Sequence, residues 1–476
     1  MTAQTPSRSG PAPLSASALR ANRLAVRAAR PLLRPRRAPA AGSSPQVTFL
    51  LLNGYGMSGA IRAAFNLAGQ LALRHEVEVV SITRSRRRPF LPVPPGVHVT
   101  SVENPHAPAQ AGWRGLLRRV LSRFDSVLLH PEEQRYVGGR LTLWTDVLLV
   151  RRLRRIGAGA LITNRPSLNL LGAQLARPGI AVFAQEQRDL SVRSQEIRER
   201  MRSGYSGLEA LAVLTDRDRA AYDALLGGAT RVVTIPNAVT ELPGPRSDLS
   251  RPIVVAAGRL TRQKGFDYLI PAFARVAPRA PGWRLRICGD GPLRHQLSGL
   301  VAAHDSADRI ELLGQVRDIA SELQQASIFV LSSRSEGFPL VLLEAMSKGL
   351  PVVSFDCPTG PAEIVDQGRT GFLVPLGDTD AMVEAILELI HDEPKRRRFG
   401  AAAGQRAEEY SLARIGARWE ELMADALGEA SAQPAVDQRD GHAVRPGDGG
   451  RTAQRSLLSV AARSRARSIR RRNVSS

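Results

Sequence analysis

The chain has 476 residues, enough for two ordinary domains with full cores, and its 43% hydrophobic and 5% aromatic content fits a globular protein. Its formal charge of +22 is uneven: residues 1–45 carry eight Arg and no acid, residues 433–476 carry ten Arg and three Asp, and the body between holds only +7. No apolar run approaches the ~20 residues that cross a bilayer, and two cysteines, Cys288 and Cys357, support neither a disulfide framework nor a zinc site. The expectation is a cytoplasmic setting with both thiols reduced.

In chain order, residues 1–45 read as a basic disordered arm, with no apolar core for a secretory signal. From residue 46 short β-branched runs alternate with helical periods: strands near 47–52, 77–82, 97–102, 161–163, 181–185, 211–215 and 231–235, with helices near 60–73, 141–154 and 216–226. This defines an N-terminal domain over 46–240. Three prolines and a glycine between Pro236 and Asp248 mark a linker, placed at 241–250. The alternation then restarts over 251–395, closing helices follow at 396–430, and 431–476 is a second basic disordered tail. Strand–helix alternation predicts an α/β fold of two Rossmann-like, doubly wound parallel-sheet domains facing a central cleft. Ligands of such sheets bind beyond the carboxyl ends of the strands.

Asn53-Gly-Tyr-Gly-Met-Ser-Gly59 follows the first strand and opens a helix, so Gly54, Gly56 and Gly59 satisfy a dinucleotide fingerprint. The ribose-binding acid expected after the second strand is absent; Thr83-Arg-Ser-Arg86 stands there, which weakens the reading without removing NADP. No hydride-transfer set follows downstream. What survives is a glycine turn and helix N-terminus suited to the phosphates of some nucleotide.

The second half carries more chemistry. Arg259 and Lys264 flank a turn after the strand at 253–257, where two cations can grip a diphosphate. Of 66 basic residues only Lys264, Lys348 and Lys395 are Lys. In Ser333-Arg-Ser-Glu-Gly-Phe-Pro-Leu-Val-Leu-Leu-Glu-Ala-Met346, Pro339 suits a helix start and Gly349 its end. Glu336 then lies just outside the N-terminus and Glu344 inside it, at different depths of one cleft. The amides near Leu340 and Val341 are placed to hold an anion. The plainer alternatives are that Glu344 pairs with Lys348 as a surface i,i+4 bridge and that Glu336 is only a cap.

Glu336 and Glu344 resemble the E-x7-E motif of retaining GT-B glycosyltransferases of family four, the group 1 transferases. The match extends over Gly258-Arg-Leu, Gln263-Lys-Gly, Gly289-Asp-Gly-Pro292, Ser335-Glu-Gly-Phe-Pro, Glu344-Ala-Met, Gly360-Pro-Ala-Glu363 and Gly371-Phe-Leu-Val-Pro375. The resemblance implies a nucleotide-sugar donor, no metal or other cofactor, and catalytic roles for Glu336, Arg259 and Lys264. It implies that Glu344 binds the ribose, and that Gly56, Gly59, Gln187, Gly337, Phe338, Pro339, Leu340 and Val341 close around sugar and phosphates. One departure is Phe183-Ala-Gln-Glu-Gln-Arg188, where Gln187 stands in place of the usual His; Gln hydrogen-bonds but carries no proton chemistry. The alternative is a non-catalytic GT-B subunit that binds or stabilises a partner.

The first domain is expected to take a glycan or lipid-linked acceptor of the cell envelope. Trp113, Leu116, Leu117, Val120, Leu121 and Phe124 recur at helical spacing, with Arg114, Arg118, Arg119 and Arg123 mostly opposite. The plain expectation is a helix packed on its own domain with a solvated Arg face. The other is a basic amphipathic helix lying on an anionic membrane, aided by the tails, which would make the protein peripheral on the inner face. Nothing resembles a nucleic-acid module, so no nucleic acid is expected.

Overall fold

In a computed structural model of the chain, which describes residues 46–106, 112–137, 139–305 and 307–427, the β-branched runs of each half pair in parallel. The arm over 1–45 and the tail over 431–476 lie outside the described residues. In the first half the strands are β1 (Gln46–Leu51), β2 (Glu76–Ser81), β3 (Val97–Ser101), β4 (Gly159–Thr163), β5 (Ile180–Gln185), β6 (Ala210–Val213) and β7 (Val232–Thr234). Their helices are α1 (Gly59–Leu71), α2 (Trp113–Leu121), α3 (Leu143–Leu153), α4 (Pro166–Leu175), α5 (Gln195–Gly204) and α6 (Asp216–Leu226). The second half has β8 (Ile253–Ala257), α7 (Phe266–Val276), β9 (Arg284–Cys288), α8 (Arg294–Ala302), β10 (Ile310–Gly314), α9 (Ile319–Gln325), β11 (Ile328–Leu331) and α10 (Leu340–Ser347). It continues through β12 (Val352–Asp356), α11 (Pro361–Ile364), β13 (Gly371–Pro375), α12 (Thr379–His391), α13 (Glu393–Glu408) and α14 (Leu412–Leu427).

The first sheet has the order β3-β2-β1-β4-β5-β6-β7 and the second β10-β9-β8-β11-β12-β13. In each the order reverses beside the first strand, so β1/β4 and β8/β11 are the switch points where a crevice opens. The glycine loop leaves β1, the Arg259–Lys264 loop leaves β8 and the Glu336 loop leaves β11. All three motifs therefore stand at switch points.

The strands are apolar because both faces are covered: Val254, Val255 and Ala256 in β8 are wholly buried, as are Phe329 and Ile328 in β11. The closing helix α14 does not stay with the half it follows. Its Ile415, Trp419, Met423 and Leu427 join Val47, Phe49 and Phe183 in the core of the first sheet. Burying each such side chain stabilises by roughly 1.5–3 kcal/mol, which ties the two halves through the chain end.

One of the plainer alternatives and one expectation are corrected. Lys348 does not pair with Glu344; its ammonium sits under the linker and donates to the carbonyls of Leu242, Pro243, Gly244 and Pro245 at 3.1, 2.6, 2.7 and 3.3 Å. A compact ammonium serves converging carbonyls where a guanidinium fork does not. Nor does α2 turn its apolar side to its own domain: Trp113 and Leu116 are 71% and 65% exposed, and Leu117, Val120 and Phe124 are exposed with them.

Candidate active site

The loops after β8 and β11 are fastened together before they present any chemistry. Arg334 forms a fork onto Asp267, with both N–O distances 2.7 Å, and stacks 4.1 Å over the Tyr268 ring. Its backbone N–H donates to the Gln263 carbonyl at 2.7 Å, while the Gln263 side chain donates to the Ser335 carbonyl at 2.8 Å. The Arg334 hydrogen bonds hold the Asp267 carboxyl below its usual range. Gly265 turns the chain at φ +65°, and a Cβ there would lie 1.9 Å from the Ser332 carbonyl oxygen. Only glycine fits so close an approach.

This clamp carries Lys264 to Glu336. The ammonium meets Glu336 Oε1 at 2.6 Å, and Ser333 Oγ donates to the same oxygen at 2.5 Å. Both side chains are mostly covered, so the pair is a charge-assisted contact of restricted geometry. The Glu336 backbone is held in turn: its N–H donates to the Pro358 carbonyl and its carbonyl accepts from Thr359, both at 2.8 Å. Glu336 is thus not a helix cap, and no side chain caps α10 at all. The helix starts at Leu340 with Pro339 as its cap residue, and Phe338 is buried against Tyr410 with ring centroids 5.6 Å apart. Arg259 is exposed in the β8 loop, its guanidinium in no hydrogen bond or ion pair among the described residues. The arrangement offers an exposed cation, a paired cation, a carboxylate and uncapped helix amides along one set of strand ends, which suits a ligand with a charged phosphate end and a hydroxyl-rich end.

The opposite wall meets this one through Arg62, Gln187 and Asp216, among other described residues. Arg62, in the first turn of α1, reaches Glu344 Oε1 at 2.7 Å; Glu344 is buried and Arg62 is partly exposed. The Gly337 backbone lies against the Gln187 carbonyl, only 2.6 Å from where a Cβ would be. Asp216 N–H, at the start of α6, donates to Glu363 Oε1 at 3.0 Å. The first contact sets the helix behind the glycine loop beside the second acid of the pair. Gly56 and Gly59 lie in that loop, and the Cβ direction of Gly59 is open.

Gln187 meets the cleft through its backbone. Its amide is engaged in a reciprocal pair with Asn237, Nε2 to Oδ1 at 3.1 Å and Nδ2 to Oε1 at 2.9 Å. Beneath it, buried Glu186 accepts from Asn169 Nδ2 at 2.8 Å, Tyr205 OH at 3.0 Å and Arg193 at 2.5 Å. Burial pushes the nearby Glu133 carboxyl up to about 7, against the pull of Arg165. Sequence reading missed Arg62, Asn237 and this network. A cation in the first turn of a helix opposes the dipole, and that was the one available sign that Arg62 has a partner elsewhere. Among the described residues no three His, Cys, Asp or Glu side chains converge to hold a metal ion.

Residues 241–406, which include every charged group of the clamp and pair, match the family described as glycosyl transferases group 1. That segment belongs to the group 1 glycosyltransferases. The chain as a whole is similar to an exopolysaccharide phosphotransferase of Streptomyces coelicolor, 35% identical over 418 residues, covering 85% of this chain and 44% of that protein. The chain thus spans less than half the length of that relative. The amylovoran biosynthesis glycosyltransferase AmsD of Erwinia amylovora is 32% identical over 170 residues, 36% of this chain and 47% of AmsD. The pneumococcal O-GlcNAc transferase GtfA, solved with UDP and GlcNAc, superposes with a TM-score of 0.62 at 16% identity, over 81% of this chain and 99% of that one. The fold is the GT-B glycosyltransferase fold.

Proposed function

We propose that this protein transfers a sugar from a nucleotide-sugar donor to an acceptor hydroxyl, with retention of anomeric configuration, in the synthesis of a cell-envelope polysaccharide or glycolipid. The observation that carries the reading is the Lys264–Glu336 pair at 2.6 Å beside exposed Arg259 and the uncapped start of α10. Sugar transfer builds negative charge on the departing diphosphate and positive charge on the ring. Arg259 and Lys264 neutralise the diphosphate, with the amides of Leu340 and Val341 sharing it through the helix dipole. Glu336, held from below by Ser333, accepts from hydroxyls of the donor sugar near the reacting carbon. Glu344 takes the ribose as Arg62 gives way, and the open side of Gly59 leaves room for the ligand. The UDP in the pneumococcal structure and the polysaccharide names of two relatives support this donor and product class.

The Gln187–Asn237 amide pair favours a second reading, a GT-B subunit that binds without turnover, because the side chain expected at the sugar is already engaged. A panel of nucleotide sugars separates the two. The catalytic reading expects hydrolysis or transfer with at least one donor, lost in Arg259→Ala, Lys264→Ala and Glu336→Gln while the melting temperature holds. Wild-type rates in all three variants would overturn it; thermal stabilisation by a donor with no turnover would establish the second.

A further inference from the structure

The helix α2 is built inside out. Its spacing of apolar residues is that of a core-facing helix, yet Leu116, Leu117, Val120 and Phe124 are exposed, as is most of Trp113. Gly115 and Arg118 are on the covered side, and Arg119 and Arg123 are exposed beside the apolar strip. The helix is pinned at its end, where Leu143 N–H donates to the Phe124 carbonyl at 3.1 Å and Ser126 N–H to the Leu141 carbonyl at 3.0 Å. Those contacts place it at the start of α3, on the carboxyl side of the first sheet, the side that forms the cleft.

The neighbouring strand end carries a matching segment. Between β2 and β3, Arg84, Arg86, Arg87 and Arg88 run with no acid, and Phe90 and Val93 are exposed. Arg84 lies 5.2 Å over the Tyr55 ring of the glycine loop, and Phe90 N–H donates to the Tyr55 carbonyl at 3.4 Å. With Arg114, Arg118, Arg119 and Arg123 the two segments hold eight arginines and no acid over 84–93 and 113–124. No acid within either segment offsets them.

We propose that α2 and the 84–93 loop form a docking surface for an anionic lipid bilayer. A narrow apolar strip flanked by arginines fits an interfacial helix, whose apolar side enters the acyl boundary while the guanidinium groups meet headgroup phosphates. Charge complementarity selects the bilayer over a second protein: exposed Arg119 and Arg123 flank the apolar strip, exposed Arg86, Arg87 and Arg88 stand on the loop, neither segment carries an acid, and such a surface has its match in a continuous anionic plane. The surface lies on the rim of the first wall, so docking turns the cleft toward an acceptor held in the membrane. That last step deepens the glycosyltransferase reading and rests on it, whereas the docking itself does not.

The test is co-sedimentation of the full chain with vesicles of phosphatidylcholine alone or mixed with phosphatidylglycerol, at low salt and at roughly 0.5 M salt, where the Debye length is about 4 Å and the basic tails are screened. The expected result is at least tenfold more binding to anionic vesicles, with a salt-resistant part. Leu116→Ser/Val120→Ser/Phe124→Ser should lose the salt-resistant part at least tenfold, and Arg118→Gln/Arg119→Gln/Arg123→Gln should lose most low-salt binding. Both variants should keep the wild-type melting temperature and its shift with UDP. An absent UDP shift with intact vesicle binding would fail the donor reading alone. Equal binding of wild type and the serine variant would overturn the docking proposal. So would a wild-type dimer that the serine variant dissociates without change in vesicle binding.

Discussion

The two walls of the cleft are built by different means. On the C-terminal wall the functional groups lie on two adjacent loops, and short-range bonds bring them together: Arg334 on Asp267, Gln263 on Ser335, Lys264 on Glu336. On the N-terminal wall the groups come from distant elements, and a buried polar network under Gln187 sets the surface, with Glu186 joined to Asn169, Arg193 and Tyr205. The first wall states its chemistry in motifs. The second holds its shape by burial, and its exposed chemistry is carried by backbone and by arginines on the rim. One wall, then, is written locally, while the other is supported from beneath.

That contrast can be broken by substitution. The largest effect is expected for Lys264→Ala, which removes the paired cation of the C-terminal wall. Turnover should fall by about 10³-fold, the range of removing a preorganised charge stabiliser, with steady-state kinetics as the measure. A fall below tenfold would show that the pair is structural. For the N-terminal wall, Glu186→Ala leaves Arg193 buried without its partner, and chemical denaturation should show a loss of about 3–5 kcal/mol. A loss under ~1 kcal/mol would deny the network its supporting role.

Glu133 offers a pH test of the same wall. Burial holds its folded-state value near 7 against an ordinary 4.5, so between those values the folded protein binds the extra proton. Stability therefore falls as pH rises through that window, by on the order of 3 kcal/mol. Glu133→Gln should reduce the slope of melting temperature against pH between about 5 and 7 and raise stability at pH 8. Some slope stays, because burial also lifts Asp218 to about 6. An unchanged slope would show that Glu133 is not the group that titrates. The smallest effect is expected where the walls meet. Arg62 is about half exposed, so its pair with Glu344 is worth at most ~1 kcal/mol, and Arg62→Ala should lower the donor KM no more than about fivefold with kcat kept. A raised KM would mean that Arg62 binds the donor and does not compete with it.

Much of the fold was legible. The strand Ile253–Ala257 and the helix Asp216–Leu226 emerge from their apolar patterns at their observed bounds. Helices α4 and α5 were not foreseen: Pro166–Leu175 is buried along most of its length and shows no clear 3.6-residue stripe, and Gln195–Gly204 is highly polar, its buried stripe made only of Ile197, Met201 and Gly204. Glu336 and Lys264 were legible because strand ends and turns between them are local features. Arg62 with Glu344, and Gln187 with Asn237, were not, since each pair joins residues far apart in the chain.

The amino-acid order alone determined two parallel-sheet halves, the loops that carry the charges and the sign of each charge, because these follow from periodicity, turn chemistry and residue type over short spans. Tertiary structure decided which charges meet: that Lys348 serves the linker carbonyls, that α14 returns to the first core, and that α2 shows its apolar side to solvent. A helix pattern specifies that one face is apolar but not what that face meets. Burial against a neighbour is a property of the packed chain, and it is settled only when the long loops close.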